Sequence, residues 1–548
     1  MRTRTGASAV AALLTVALLA SGPARSADTR RKATPAVHGP SLVAVKVANQ
    51  SDAARLASAG FDLAEARTAD AIKMVAWPGD AARLTAMGFH FTTLIADLDT
   101  EGRDAGVGAA PVAASATTGG PNQGDYRHLA DYDRELRDLA ATYPDHVRLF
   151  TAPLQTAEGR TVTGVEIAKD VNATDGRPVS FIMGLHHARE WPSGEVTMDF
   201  ANELARSFGT DPRITADLTA TRVLVVPVVN PDGFNWSREY PVELSQDYES
   251  VVAGGEGAYW RKNRRGPGTG TVPMSPLAYG VDPNRNYGYH WGSGTLCCMD
   301  YTSANPTDQT YQGDAAFSEA ESENIRQIVL RHQVMTLITN HTFSNLVLWP
   351  WGDTQLKPPD IAAIKNLGNK MAAVNGYTPQ QGINLYPTTG STEDWAYAAE
   401  GTFGYTFEHG TSFHPTYTST FPAMYQHNRG AFLLAIEAAA DTTLHGVING
   451  TVRDSAGSPV SATLELTRTG QMALDQPTGA MLTDTVDTIM TAAADGRFTW
   501  HVNPSTRPVA NGPETYQLTV SAPGHGPVVT SVLIKRGQTV DLGTINLG

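Results

Sequence analysis

The pattern of hydrophobic and polar residues changes along this 548-residue chain and divides it into three parts. In the long middle part, residues 125–440, apolar runs typical of strands alternate with segments whose apolar residues recur at helical spacing. One run, Thr221–Val229, is continuously apolar and β-rich, as expected for a strand buried on both faces. The alternation predicts an α/β domain with a mostly parallel or mixed central sheet flanked by helices.

Residues 38–98 have the pattern of a small α/β unit. Leu42–Val47 is strand-like and Asp52–Ala59 is helix-like. The segment Leu56–Asp62 is echoed by Leu84–His90, which predicts two strand–helix units in a small sheet that helices cover on one face. We expect no residue of this unit to carry chemistry.

From Leu444 onwards the pattern becomes that of an all-β domain. Residues 444–548 contain short alternating strands separated by turn signals such as Asp495-Gly. About seven strands without a helix predict a small β-sandwich. This region contains no cluster of acidic, histidine or aromatic residues that indicates a site.

Two further segments have the composition of processing regions. Residues 1–26 combine Arg2 and Arg4 with the apolar run Ala9–Ala20 and a small-x-small end, as in a secretory signal peptide, although a buried helix is the alternative. The apolar run is shorter than the roughly 20 residues that span a bilayer. Residues 101–124 are rich in Gly, Ala, Thr, Ser and Pro, which indicates a flexible linker open to proteolysis. We therefore expect a secreted, extracellular protein without a membrane span.

Composition and charge narrow the classes of function. The formal net charge of −14 provides no broad basic surface, so we expect no nucleic-acid partner. With 41% hydrophobic and 18% charged residues the chain is globular rather than disordered. The only cysteines, Cys297 and Cys298, are adjacent and form no disulfide framework. A vicinal disulfide and a reduced pair both remain open.

The strongest chemical signal follows the strand-like run Pro178–Leu185. His187 and Glu190 are three residues apart and can turn towards one point if the chain coils after the strand. An imidazole nitrogen and a carboxylate oxygen suit Zn²⁺, but two protein ligands leave the site incomplete. A third ligand must therefore come from elsewhere. The alternative is a chance match, because HxxE triplets are common.

Two other strand-like runs end in side chains that could complete a hydrolytic site. His341 ends the first run and is the natural third ligand, although a lone histidine at a sheet edge is the alternative. Glu408 ends the second run in apolar surroundings. A carboxylate there can have a raised pKa and act as a general base, or it can be an ordinary strand-end acid.

Two basic stretches could contact an anionic substrate. Arg261 lies in Trp260–Arg265, and Arg285 follows Asn284. An arginine beside an asparagine can bind a carboxylate in a bidentate manner. As isolated runs of charge, both stretches would also be typical of a solvated surface.

In order and in local sequence, these motifs resemble the zinc metallocarboxypeptidase family of the carboxypeptidase A and B type, the funnelins, over about residues 125–440. The resemblance implies one Zn²⁺ per catalytic domain, held by His187, Glu190 and His341. It also implies the remaining roles: Glu408 as catalytic base, Arg261 as the group that polarises the scissile carbonyl, Asp282 as the acid behind the first histidine, Arg189, Asn284 and Arg285 as substrate-binding residues, and Tyr386 as the mobile tyrosine that closes over substrate.

The resemblance also bears on substrate preference. Glu393 falls at the position of the pocket floor, which is apolar in A-type and acidic in B-type enzymes. An acid there would pair with a C-terminal Lys or Arg, so we expect a basic or a dual basic and hydrophobic preference. The alternative is that Glu393 points away from the pocket. The chain departs from the family at Thr342-Phe343, where Ser-Tyr is frequent.

Together these features predict a secreted zinc exopeptidase that acts on peptides and proteins with a free C-terminus. Residues 38–98 resemble a pro-segment that covers the site until an activating protease cuts the linker, and residues 444–548 resemble a transthyretin-like domain. Two alternatives remain: a cell-wall peptide hydrolase on the same fold, and a secreted binding protein without catalytic activity.

Overall fold

The structure is a computed structural model that describes residues 40–98, 125–239, 257–266, 279–292, 302–473, 481–504 and 512–548. The predicted signal peptide 1–26, the predicted linker 101–124 and the pair Cys297-Cys298 lie outside the described residues.

The N-terminal unit is a four-stranded antiparallel sheet with two helices. Its elements are β1 (Ser41–Lys46), α1 (Gln50–Ser58), β2 (Asp62–Arg67), β3 (Ala71–Ala76), α2 (Asp80–Ala86) and β4 (Phe91–Ile95). The strand order is β2-β3-β1-β4, and all neighbours are antiparallel. Leu56 and Leu84 of the two helices share one hydrophobic cluster with Val43 and Met74 of the sheet, so both helices cover the same face. The structure adds one strand to each predicted strand–helix unit.

An eight-stranded mixed sheet forms the centre of the molecule. Its strands are β5 (Val147–Gln155), β6 (Thr161–Ile167), β7 (Val179–Gly184), β8 (Arg222–Val226), β9 (Val334–His341), β10 (Leu346–Trp349), β11 (Thr378–Gln381) and β12 (Phe403–Glu408). The order is β11-β10-β12-β9-β7-β8-β6-β5. The four neighbours β12, β9, β7 and β8 are parallel, so their carboxyl ends share one edge of the sheet.

Helices surround this sheet. They are α3 (Leu129–Thr142), α4 (Trp191–Ser207), α5 (Pro212–Ala220), α6 (Pro231–Glu239), α7 (Ala320–Leu330), α8 (Ile361–Asn375), α9 (Thr392–Glu400) and α10 (Tyr417–Ala440), with short 3-10 turns at Pro283–Arg285 and Gly382–Asn384. Every residue of the four parallel strands is buried, because both faces of the sheet are covered. Among the described residues, no helix is long and apolar enough to cross a membrane.

The C-terminal region is a β-sandwich. Its strands are β13 (Gly446–Asp454), β14 (Thr463–Ala473), β15 (Met481–Thr491), β16 (Arg497–Val502), β17 (Glu514–Ser521), β18 (Val528–Ile534) and β19 (Thr539–Leu547). A three-stranded sheet, β16-β13-β19, and a four-stranded sheet, β15-β14-β17-β18, enclose a core that includes Ile448, Leu466 and Trp500. The prediction of an α/β fold with a mixed central sheet, a small N-terminal α/β unit and a C-terminal sandwich is confirmed.

Candidate metal centre and substrate site

The carboxyl ends of three adjacent parallel strands bring the predicted metal ligands together. After β7 the chain turns at Leu185, which has a φ of 54°, and passes His187 and Glu190 before α4 begins. A Cβ atom at Gly184 would lie 2.5 Å from the Ser193 carbonyl oxygen, so this glycine allows α4 to start close to the strand. β9 ends at His341, and β12 runs beside it.

Three side chains converge on one point. His187 Nδ1 lies 2.8 Å from Glu190 Oε1 and 3.1 Å from His341 Nδ1, and His341 Nδ1 lies 2.9 Å from Glu190 Oε2. All three residues are buried. Two nitrogens and a carboxylate match the donor set of a catalytic zinc site. The residues present therefore fit a zinc ion.

The outer nitrogens of both histidines have partners that fix the orientation of the rings. His187 Nε2 lies 3.1 Å from Asp282 Oδ1, and His341 Nε2 lies 3.0 Å from Thr339 Oγ1. Such contacts direct the Nδ1 atoms towards a metal. Burial would raise the pKa of Glu190, but the two imidazoles lower it, so its carboxylate is ionised.

Glu408 is buried at the end of β12, where it is the register partner of His341. Its Oε2 atom has no hydrogen-bond partner within the described residues. Burial raises the pKa of this carboxyl group well above its usual value, and the charges of Glu65 and Glu190 raise it further. The arrangement is suited to proton transfer.

Arg261, Asn284, Arg285 and Tyr386 are buried around the same site. Arg261 donates through Nε to Asp282 Oδ2 at 2.9 Å. Arg285 Nη2 lies 3.4 Å from the Tyr386 hydroxyl. The two guanidinium groups, the amide and the phenol can bind a carboxylate or a carbonyl oxygen.

Glu393 lies in the first turn of α9 and is only 6% exposed, so it does not point into solvent. Its Oε2 atom has no hydrogen-bond partner among the described residues. The neighbouring Asp394 accepts from the Gly352 amide at 2.7 Å. Burial raises the pKa of Asp394 well above its usual value, and the charge of Glu393 adds to this effect.

The N-terminal unit, for which the sequence predicts no chemistry, places two acids against residues of this site. Glu65 Oε1 accepts from Arg261 Nη1 at 3.1 Å and from the Tyr386 hydroxyl at 2.9 Å. Asp62 accepts two hydrogen bonds from Arg189, at 2.5 and 2.6 Å. Two acids in a strand of small and apolar residues are costly to bury without cationic partners. Their presence in this strand was the signal in the sequence that the N-terminal unit contacts buried cations.

The sequence matches a known protein family and several of its members. Residues 132–429, just over half of the chain, match the family Peptidase_M14, described as zinc carboxypeptidase. The chain is 30% identical over 295 residues to Zinc carboxypeptidase A 1 of Anopheles gambiae, with 52% of this chain and 60% of that protein covered. It is 27% identical over 289 residues to Zinc carboxypeptidase of Saccharothrix mutabilis subsp. capreolus, with 52% and 61% covered. The match therefore spans about three fifths of the length of each relative.

Solved structures share the fold over a larger part of the chain. Carboxypeptidase A from Helicoverpa armigera has a TM-score of 0.61 at 23% identity, covering 74% of this chain and 99% of that one. Thrombin activatable fibrinolysis inhibitor has a TM-score of 0.57 at 17% identity, covering 73% and 99%. At these identities the likeness concerns the fold alone.

Proposed function

The chain belongs to the zinc carboxypeptidase family Peptidase_M14, and we propose that it is a zinc-dependent exopeptidase that removes the C-terminal residue of peptides and proteins. The observation that carries the proposal is the convergence of His187, Glu190 and His341 beside the buried Glu408. When bound there, Zn²⁺ supplies an acidified water molecule and polarises the substrate carbonyl.

Glu408 and Arg261 perform the proton transfer and the charge stabilisation in this proposal. Glu408 takes a proton from the water that attacks the scissile carbonyl and passes it to the leaving amine as the C–N bond breaks. Arg261 Nη2 has no partner among the described residues, so it can donate to the carbonyl oxygen as negative charge develops. Asp282 holds Arg261 and His187 in place from behind.

Asn284, Arg285 and Tyr386 are proposed to bind the free C-terminal carboxylate, which makes the enzyme an exopeptidase. The Asn284 Oδ1 atom already accepts from the Thr392 amide at 3.0 Å and the Thr392 hydroxyl at 2.8 Å. Its amide nitrogen is therefore the group that donates to substrate. A guanidinium beside an amide and a phenol favours a planar anion over an internal peptide bond.

The test is peptide hydrolysis by the Glu408→Gln variant after limited proteolysis. We expect this variant to retain zinc in metal analysis and to lose turnover by about 10²- to 10⁴-fold, because the proton acceptor is absent. Glu437→Gln, a partly exposed site on α10, is the matched control. The chelator 1,10-phenanthroline should abolish wild-type release of the C-terminal residue.

Near-normal turnover of Glu408→Gln would remove the general base from this scheme. No release by the zinc-loaded wild-type protein would instead favour the cell-wall peptide or the binding-protein alternative.

The proposed preference is for basic C-terminal residues, or for basic and hydrophobic residues together. Its support is the unpartnered, buried Oε2 atom of Glu393. A buried carboxylate oxygen without a partner is unfavourable, and the ammonium or guanidinium of a substrate side chain would supply the missing partner.

Residues 38–98 are proposed to be a pro-segment that covers the site until an activating protease cuts within residues 101–124. The support is that Glu65 occupies Arg261 and Tyr386, two groups that a substrate needs. While these contacts persist, a peptide cannot reach the same donors.

The contact of Asp62 with Arg189 also supports the pro-segment proposal. Asp62 engages Arg189 through both carboxylate oxygens, and Trp77 Nε1 donates to its Oδ2 atom at 2.9 Å. Burial would raise the pKa of Asp62, but the charges of Arg189 and Arg261 lower it, so the ion pair persists at neutral pH. Removing one partner of such a buried pair leaves an uncompensated buried charge, which is strongly destabilising.

We further propose the domain organisation and location that the sequence predicts. Residues 1–26 act as a signal peptide, residues 125–440 form the catalytic domain, and residues 444–548 form a transthyretin-like domain. The protein is accordingly secreted and acts outside the cell.

A further inference from the structure

The C-terminal sandwich contacts the end of the helix that carries the pocket carboxylate. Arg468 of β14 donates through Nη2 to the Ala399 carbonyl at 2.8 Å, and Arg536 donates to the Gly401 carbonyl. The two arginine side chains are only 4% and 6% exposed. The last carbonyls of a helix lack intrahelical partners and carry partial negative charge, so buried cations stabilise them. The sandwich therefore holds the C-terminal end of α9.

Asp484 of β15 holds the middle of the same helix. Trp395 is fully buried and donates its indole N–H to Asp484 Oδ2 at 3.1 Å. Arg326 of α7 donates to Asp484 Oδ1 at 2.7 Å, which keeps this carboxylate oriented. A buried N–H without an acceptor is costly, so the position of Trp395 depends on Asp484.

The start of α9 connects these contacts to the substrate-binding residues. The Trp395 ring packs against Tyr287, with ring centroids 5.8 Å apart, and Tyr287 follows Arg285 by two residues. At the first helical position, Thr392 binds the side chain of Asn284 through two hydrogen bonds. Glu393 is the next residue. A shift of α9 would therefore move the groups that bind the substrate.

We propose that Asp484, Arg468 and Arg536 are positioning residues for substrate binding. Through them, the sandwich keeps the substrate-binding residues in place. Asp484 and the two arginines act through α9 and contact no substrate themselves. The inference deepens the proposed peptidase function and rests on it. His341 and Glu408 end β9 and β12, and His187 and Glu190 lie between β7 and α4, so the chemical step should depend less on α9 than substrate binding does.

The test compares Asp484→Ala with Asp484→Asn in the full chain after limited proteolysis. We expect Asp484→Ala to lower kcat/KM by about 10- to 100-fold, mainly through KM, because misplaced binding groups lose substrate affinity. The ratio of kcat/KM for Lys-ending over Leu-ending peptides should fall as well. Asp484→Asn keeps one acceptor oxygen, which can serve the indole while the contact with Arg326 is lost, and should restore KM in part. Asp487→Ala, exposed on the same strand, is the matched control.

A second variant covers the case in which Asp484→Ala does not fold. Trp395→Phe keeps an aromatic ring but removes the indole N–H, and it leaves Asp484 paired with Arg326. This variant should also raise KM. Folded Asp484→Ala or Trp395→Phe enzymes with wild-type KM and wild-type Lys-to-Leu ratio would overturn the inference.

Hydrogen exchange separates this inference from the proposed function, because it needs no activity. The amides of Thr392–Glu400 should exchange faster in Asp484→Ala than in wild type, and should be unchanged in Asp487→Ala. Equal exchange in all three proteins would overturn the positioning role even if the wild type is an active peptidase. Faster exchange in an inactive wild-type background would support the contact while removing the peptidase function.

Discussion

Arg261 is the residue at which the metal centre and the N-terminal unit meet. Its Nε atom donates to Asp282, which contacts His187, and its Nη1 atom donates to Glu65. A guanidinium has five donors in a fixed fork, so one side chain can serve both contacts and still offer Nη2 to a substrate. Lysine, with a single nitrogen, could not replace it here.

At the residue scale, Glu393→Gln tests the origin of substrate preference. The change removes the charge and keeps the shape. We expect kcat/KM for Lys- and Arg-ending peptides to fall by about 10- to 100-fold, and that for Leu-ending peptides to change by less than about 3-fold, because only a cationic side chain uses the charge. Initial rates on a peptide panel give this comparison, with Glu437→Gln as control.

Wild-type enzyme that cleaves a Lys-ending peptide no better than a Leu- or Phe-ending one would contradict this preference. It would indicate that Glu393 has a structural role and does not bind the substrate side chain.

At the scale of elements, the sequence predicted the strands that deliver the site but not the strand that covers it. The ends of β7, β9 and β12 were predictable, because each apolar run stops at a histidine or an acid. In β2, pairing with β3 shifts register between Leu63 and Arg67. This irregularity lets Asp62 and Glu65 reach the catalytic region together, although strict alternation would place residues three apart on opposite faces. A bulge depends on the partner strand, so β2 alone did not reveal it.

The start of α7 provides a prediction about stability. Glu321 is buried and accepts from Asn263 Nδ2 at 2.9 Å. Burial and the nearby Glu319 raise the pKa of Glu321 to about 8, although the Asn263 hydrogen bond opposes the shift. Its contribution to stability is complete below the ordinary value of 4.5 and is lost as the pH rises to about 8, because the unfolded chain ionises first.

Glu321→Gln should remove this loss. The free energy of unfolding of the variant relative to wild type should rise by about 1 kcal/mol per pH unit between pH 5 and pH 8, seen as a growing difference in Tm. Glu323→Gln, partly exposed on the same helix, is the matched control. A Tm difference that is equal at pH 5 and pH 8 would show that Glu321 does not titrate in this range.

In the whole molecule, the N-terminal unit and the C-terminal sandwich both dock on the central domain through buried charged side chains. The order and the class of the units followed from the hydrophobic pattern. The way the units dock could not be predicted, because it depends on single charged residues such as Glu65 and Asp484. One partner of Glu65 lies 321 residues away in sequence, and one partner of Asp484 lies in another domain. Neither residue belongs to a local motif.

The proposed pro-segment gives a prediction at this scale. In the uncut chain, the double variant Asp62→Asn/Glu65→Gln should release C-terminal residues at least about 10-fold faster than wild type, because breaking buried ion pairs weakens the cover. After limited proteolysis, the two proteins should reach the same rate. Release from a Lys-ending peptide before and after cutting measures both effects.

Asp70→Asn is the control, since Asp70 is exposed in the same unit. A wild-type chain that is equally active before and after cutting would remove the pro-segment proposal while leaving the peptidase function intact.

The pairing of β9 with β12 determines which changes of chain length the site tolerates. His341 and Glu408 are opposite one another in the ladder. Deleting one residue within β12 would turn Glu408 to the other face of the sheet, because side chains alternate along a strand. Deleting two would restore the face but shift the carboxylate along the strand by roughly 7 Å. Insertions and deletions that keep His341 and Glu408 opposite one another are therefore confined to the connections, and β9 and β12 can change in sequence but not in length.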